Sequence, residues 1–265
     1  VPLITLSPLQ GIAQQGPYVF QNSITHAAQV QTLVRYAFGE LGFQTYAILY
    51  PRDAYGLTFR RLFQEAVEAW GGEVVVTASY ADDQTDFKDV IKEMVTYEPP
   101  KEPKEKPKPI INFEAIFIPD DVNKVTLIVP QLVYHDITGV QLLGASGWNS
   151  PELIRNSGKF VEGAVFVDGF FKDSPIRAVR SFAMDFEDTF HCSPTLLEAL
   201  SFDTTKLVLK TLTSSGKVTP SSLLSFRGDG GVTGFRGFTA DGEGVRDLFL
   251  LQVSERKIRQ VSASE

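Results

Sequence analysis

The chain has a single cysteine, Cys192, among 265 residues, so no internal disulfide can form. Its three histidines, His26, His135 and His191, are widely spaced, and none has metal-ligand spacing such as H-x-x-x-H. Positive charge is also scarce. Against 32 Asp and Glu stand 25 Lys and Arg, giving a net charge of −7 with no basic run. Nucleic-acid binding needs clustered Lys and Arg, so that class of partner is disfavoured. No apolar run approaches the ~20 residues of a membrane helix. The opening run "VPLITLSP" begins without methionine and is expected to be the start of a processed or truncated piece. The compartment therefore stays open: lone Cys192 suits a reducing interior, or an exported protein without bridges.

Catalytic signatures are missing as well. "GASGW" follows the nucleophile-elbow pattern until Trp148 stands where glycine is needed, leaving Ser146 as a turn residue or a hydrogen-bond donor to a ligand. "GDGGVTGFRG" is glycine-rich but lacks dinucleotide spacing and opens no helix. Asp120 and Asp121 are adjacent, so their side chains diverge and make a poor acid/base pair. They read as a helix cap or as ligand contacts. The sequence thus predicts no enzyme, no cofactor and no metal.

What is present is a globular composition, 43% hydrophobic and 22% charged, enough for one large domain or two smaller ones. Strand-like and helical segments alternate from residue 1 to about 170. "TYAILY" precedes a helix with Phe59, Leu62, Phe63, Ala66, Val67 and Trp70 on one face. "EVVVTASY", "FEAIFIP", "VQLLGA" and "GAVFVDGFF" continue the strand series. Ser23 is the expected cap of an early helix, Asp86 of a short one, and Pro130 is expected to kink or split the helix that follows Asp121. Residues 97–109, "YEPPKEPKEKPKP", read as a solvated surface loop, because proline blocks helix and ladder alike. Two further helices, about 175–190 and 195–213, lead to a tail of turns and antiparallel strands. Alternation of this kind predicts a parallel sheet with helices on both faces. All strand C-termini then share one rim, where such sheets bind ligands. "SPLQG", "YPRDAYG", "PDDV" and "ASGWNS" are the loops placed there.

The order of motifs carries a resemblance. "VPLITLSP", "PYVFQN", "GELG", "YPRDAYG", "GGEVVVTASY", "QTDF", "SPTLLEALSFDTTKLV" and "GGVTGFRGFTADGEG" follow one another as they do in the type I periplasmic binding proteins, which include the branched-chain amino acid binders of ABC importers. "FIPDD", "LLGASGWNS" and "VEGAVFVDGFF" are similar to a subgroup described as penicillin-binding protein activators. The resemblance implies an α/β fold of two doubly wound parallel-sheet lobes. Lobe one would comprise 1–22 and 173–245, and lobe two 23–172 and 246–265. The family carries a further stretch before the "VP" strand, so the first lobe is expected to be incomplete here and to need either a longer gene product or a second copy, a homodimer.

By the same resemblance the protein would close two lobes on a small polar, amino-acid-like ligand and pass it to an ABC permease. The alternative is a non-catalytic regulator that contacts a cell-wall (peptidoglycan) synthase. Either would act in the periplasm or at the outer cell surface, with a lipid anchor on the full-length protein as one possibility. The ligand-contact candidates are Ser7, Tyr55, Asp120, Trp148 and Asn149. Tyr55 either touches ligand or packs on its own loop, Trp148 is a wall or core filler, and Ser7 is a contact or a turn residue. Trp148 stands where amino-acid binders carry an acid for the ligand's amine, which leaves that task to Asp120 or Asp121.

Overall fold

The computed structural model describes residues 1–99 and 107–261. In chain order, β1 (Leu3–Thr5) and β2 (Val19–Gln21) precede helix α1 (His26–Gly39). Next come β3 (Thr45–Pro51), α2 (Ala54–Ala69), β4 (Glu73–Tyr80) and the short α3 (Lys88–Glu93). The pair β5 (Thr96–Glu98) and β6 (Lys108–Ile110) leads to β7 (Ala115–Ile118), α4 (Val122–Tyr134), β8 (Gln141–Gly144), α5 (Pro151–Ser157) and β9 (Val165–Asp168). Helices α6 (Arg177–Phe190), α7 (Leu196–Ser215) and α8 (Pro220–Ser225) follow. Four strands close the chain: β10 (Phe235–Phe238), β11 (Gly244–Arg246), β12 (Phe249–Ser254) and β13 (Lys257–Gln260). These elements form two units. Unit 1 is Val1–Ala28 with Asp168–Phe249, and unit 2 is Gln29–Val167 with Leu250–Glu265.

Unit 2 is built on a seven-stranded sheet in the order β13-β12-β9-β8-β7-β3-β4. The run from β4 through β3, β7 and β8 to β9 is parallel. Side chains alternate across a strand, and both faces here are apolar. Tyr46, Ile48, Ala115, Phe117, Leu143 and Val165 pack with α1 and α2. Their alternates Ala47, Leu49, Ile116, Ile118 and Leu142 are buried as well. That is the pattern of a sheet covered on both sides. Phe63 of α2 stacks on Phe117 at 4.3 Å between ring centres, and burying one such side chain contributes about 1.5–3 kcal/mol.

Local signals explain most helix starts. Asp53 Oδ1 accepts a bond from Gly56 N at 2.7 Å and caps α2. Gly56 is needed there because a Cβ would lie 2.0 Å from the Pro51 carbonyl oxygen. Asp121 caps α4 by accepting from Asn123 N and Lys124 N. Ser23 caps nothing. Thr25 Oγ1 receives the Ala28 N–H instead, and α1 starts at His26. Asp86 accepts from Lys88 N, although Phe87 occupies the cap position of α3. Pro130 lies inside α4, which runs unbroken to Tyr134 because Val125, Ile128, Val129 and Leu132 are fully packed. The ends of the Pro/Lys/Glu tract are not loop. Tyr97 pairs with Pro109, and Glu98 with Lys108, in an antiparallel ladder. The middle of that tract lies outside the described residues.

Unit 1 has a parallel pair, β1 with β2, and an antiparallel pair, β10 with β11. A parallel bridge from Gln21 to Glu243 joins the end of β2 to the residue before β11. Phe20, Leu207, Leu223, Phe235 and Phe238 form its core. Buried Asp203 of α7 accepts from Val232 N, Thr233 N and Thr233 Oγ1, which fixes the glycine-rich turn before β10. Among the described residues no helix is long and apolar enough to cross a membrane.

A Gly56→Ala substitution should destabilise the protein by about 1–3 kcal/mol, because the added methyl meets backbone and not a movable side chain. The midpoint of urea unfolding, with an unchanged slope, measures this.

Candidate functional site

In unit 2, β3 ends opposite β4 at the pair Pro51–Tyr80, and β7 ends opposite β8 at Ile118–Gly144. The four following loops therefore emerge on one edge of the sheet. They are in contact. Tyr80 donates its hydroxyl to Asp120 Oδ2 at 2.6 Å, joining the end of β4 to the loop after β7. A Cβ on Gly147 would lie 3.0 Å from the Asp120 carbonyl, so the loop after β8 packs on the same turn. Ser146 N in that loop donates to Gln29 Oε1 of α1 at 2.9 Å.

Tyr55, in the first turn of α2, is half-buried with its ring edge-on to Phe59 at 4.9 Å. Burial raises its pKa, and the charges of Asp120, Asp121 and Asp53 raise it further. Tyr80 is raised in the same way, first by burial and then by Asp120. Both phenols stay neutral at physiological pH. They offer hydrogen bonds and ring surface but no charge.

The three carboxylates have different commitments. Asp53 is spent on the α2 cap and Asp121 on the α4 cap. Asp120 accepts from Tyr80 and from Asp121 N and makes no ion pair among the described residues. A carboxylate has about four lone-pair positions, so acceptor capacity remains. Nearby Lys124 makes no ion pair with it among the described residues, although its charge lowers the Asp120 pKa. Its ammonium donates to the carbonyls of Asp82 and Gln84. Burial pushes the Asp120 pKa up, against the lowering effect of the bonds from the Tyr80 hydroxyl and the Asp121 N–H and of the Lys124 charge. The edge is thus rich in acceptors and aromatic surface, which suits a group that donates hydrogen bonds, such as an ammonium.

Trp148 is not part of that surface. It is fully buried, its Nε1 donates to the Ile118 carbonyl at 3.1 Å, and its ring covers Gly144. A Cβ at Gly144 would sit 2.3 Å from the indole, so the glycine makes room for it. Trp148 thus packs in the core beneath the edge, against Gly144 and the end of β7. Asn149 follows on the rim, half-buried, with its N–H on the Ser146 carbonyl. Ser7 belongs to unit 1, where its Oγ accepts from Leu9 N at 3.3 Å as in a turn. The structure therefore brings Tyr55 and Asp120 together and leaves Trp148 in the core. Tyr80 is the residue that sequence reasoning passed over. Its one signal is a polar aromatic at the last position of an apolar strand, "TASY". Among the described residues no group of three His, Cys, Asp or Glu can hold a metal ion.

Residues 1–257 match a family described as periplasmic binding protein. The chain belongs to the periplasmic binding protein family. Its fold is that of the type I members, two α/β units each drawn from separated stretches of chain. A putative branched-chain amino acid ABC transporter protein from Rhodospirillum rubrum superposes with a TM-score of 0.83 at 24% identity, covering 98% of this chain and 72% of that one. A branched-chain amino acid transporter substrate binding protein from Streptococcus pneumoniae, solved with isoleucine, gives 0.72 at 21% identity, covering 98% and 72%. A solute binding protein from R. palustris, solved with benzoate, gives 0.71 at 15% identity, covering 98% and 70%. No curated protein matches the sequence.

The raised Asp120 pKa has a consequence for stability. The folded state holds this proton more tightly than the unfolded chain does, so the contribution is full below the unfolded aspartate range and is lost as pH rises through the folded pKa. Asp120→Asn removes that loss. The variant should gain stability relative to wild type as pH rises above the ordinary aspartate range, measured by urea unfolding at each pH. A constant difference across the range would contradict a buried charge at Asp120.

Proposed function

We propose that the protein is a non-catalytic, extracytoplasmic solute-binding protein that holds a small polar solute of the amino-acid class for an ABC importer. The observation that carries this reading is the Tyr80–Asp120 pair beside Tyr55, in a chain that matches the family along almost its whole length. Asp120 supplies acceptors for the solute's ammonium. The neutral Tyr55 and Tyr80 rings supply apolar surface and a cation–π face, worth ~0.5–2 kcal/mol. Asp120 thus takes the place of the acid that Trp148 displaces from the rim loop after β8. Related proteins solved with isoleucine and with benzoate handle small carboxylates on apolar bodies, one with an amine and one without. The carboxylate edge at Asp120 favours the first kind.

Purified protein should be screened by thermal shift and calorimetry against the free amino acids and against aromatic acids lacking an amine. A true solute at 100 times its dissociation constant adds ~2.7 kcal/mol of stability. Asp120→Ala and Tyr55→Ala should each weaken its binding at least about tenfold, or about 1.4 kcal/mol, without loss of folding. If no amine-bearing solute raises the melting temperature, the reading is wrong.

A further inference from the structure

On the edge of the unit 2 sheet opposite the candidate site, β8 starts at Gln141 and β9 at Val165. The chain just before each of these strands lines a cleft of about 420 Å³. Its walls are the last turns of α4, the loop from Ile137 into β8, and the 3₁₀ turn Gly158–Val161 with the residues after it. The floor is hydrocarbon, since Val129, Leu132, Ile137 and Leu142 are all buried. Half-buried Phe160 adds a ring to the wall. The volume falls in the range of small-molecule sites, about 300–1,000 Å³. Atoms that face an apolar hollow have no packing partner on that side, so a hydrocarbon body placed there gains contacts and leaves water.

The polar groups around the cleft differ in what they have left to offer. Gln141 Nε2 donates to the carbonyls of Leu142 and Gly163 and is closed on its own sheet. Glu162 is engaged at the turn between β12 and β13, where Oε1 accepts from Glu255 N at 2.7 Å and Oε2 from Arg256 N at 3.3 Å. Lys159 has no such commitment. Its exposed ammonium lies 5.7 Å from the centre of the Phe160 ring and makes no ion pair among the described residues. An apolar floor beside one unpaired cation suits a ligand with a hydrocarbon body and a single negative charge.

We propose that this cleft is a second binding site, which takes a small amphiphilic carboxylate, its chain on Leu132, Ile137 and Leu142 and its head at Lys159. The proposal is independent of the solute-binding reading, because the cleft lies at the starts of the strands and Tyr55 and Asp120 lie at their ends.

Hexanoate is the probe. Acetate, a head without the chain, and hexanol, a chain without the charge, are the controls at matched ionic strength. The readout is the methyl NMR signals of the isotope-labelled protein. Hexanoate should move the Ile137 and Leu142 signals, saturably in the millimolar range, and leave those of Leu57 and Ile118 in place. Acetate should move none of them. Hexanol should bind about two- to fivefold more weakly than hexanoate, and hexanoate should bind Lys159→Gln more weakly by about the same factor. Lys159→Arg, which keeps the charge, should bind as wild type does. Because Lys159 is exposed, neither variant disturbs the core. Val133→Phe, which fills the cleft from its half-buried wall, should abolish the shifts. No saturable shift, a shift confined to Leu57 and Ile118, equal binding of hexanol, or undiminished binding by Lys159→Gln would each overturn the proposal.

Discussion

The parallel pairing of β3 with β4 and β7, and of β7 with β8, is the constraint on which the chemistry of unit 2 depends. It places Pro51 beside Tyr80 and Ile118 beside Gly144, so four loops leave the sheet on one edge. A slip of one residue in any of these ladders would turn a buried face outward. Because both faces here are apolar and packed by helices, the register is strongly specified. The Tyr80–Asp120 bond is a result of that register, not a cause of it.

Around this edge the polar groups separate into those already used and those with capacity left. Asp53 and Asp121 each satisfy the free N–H groups of a helix start, a local duty that any α/β turn imposes. Asp120 also serves its own loop, but its neighbours leave it acceptor sites and its position is partly buried. Trp148 has the opposite fate. Its indole N–H has found the Ile118 carbonyl, and its ring fills the space that Gly144 leaves open. A buried tryptophan with a satisfied N–H contributes packing.

The same division runs through unit 1. Asp203 is buried and fully served by the turn it organises, whereas Arg246 is buried and only partly served. Both residues lie near Phe235, and each was unremarkable as a letter in the sequence. A carboxylate near a glycine-rich turn and an arginine ending a short strand become distinguishable only once their partners are counted.

Much of the fold was legible beforehand because it rests on local and periodic signals. The strands around Ile48, Val76, Phe117, Leu143 and Val165, the amphipathic α2 and the caps at Asp53 and Asp121 follow from apolar spacing and helix-start chemistry. Ser23, Pro130 and the ends of the Pro/Lys/Glu tract went differently, because a neighbouring threonine, a packed helix face and a cross-strand partner outweighed local preference. The sequence by itself determined the alternation of strand and helix, the family, and the cluster of loops in which Tyr55 and Asp120 fall. Tertiary structure decided that Trp148 turns inward, that Tyr80 reaches Asp120 across 40 residues, and that Arg246 is buried. Periodicity is a property of neighbours along the chain. Burial and hydrogen-bond satisfaction belong to neighbours in space, which only the folded sheet brings together.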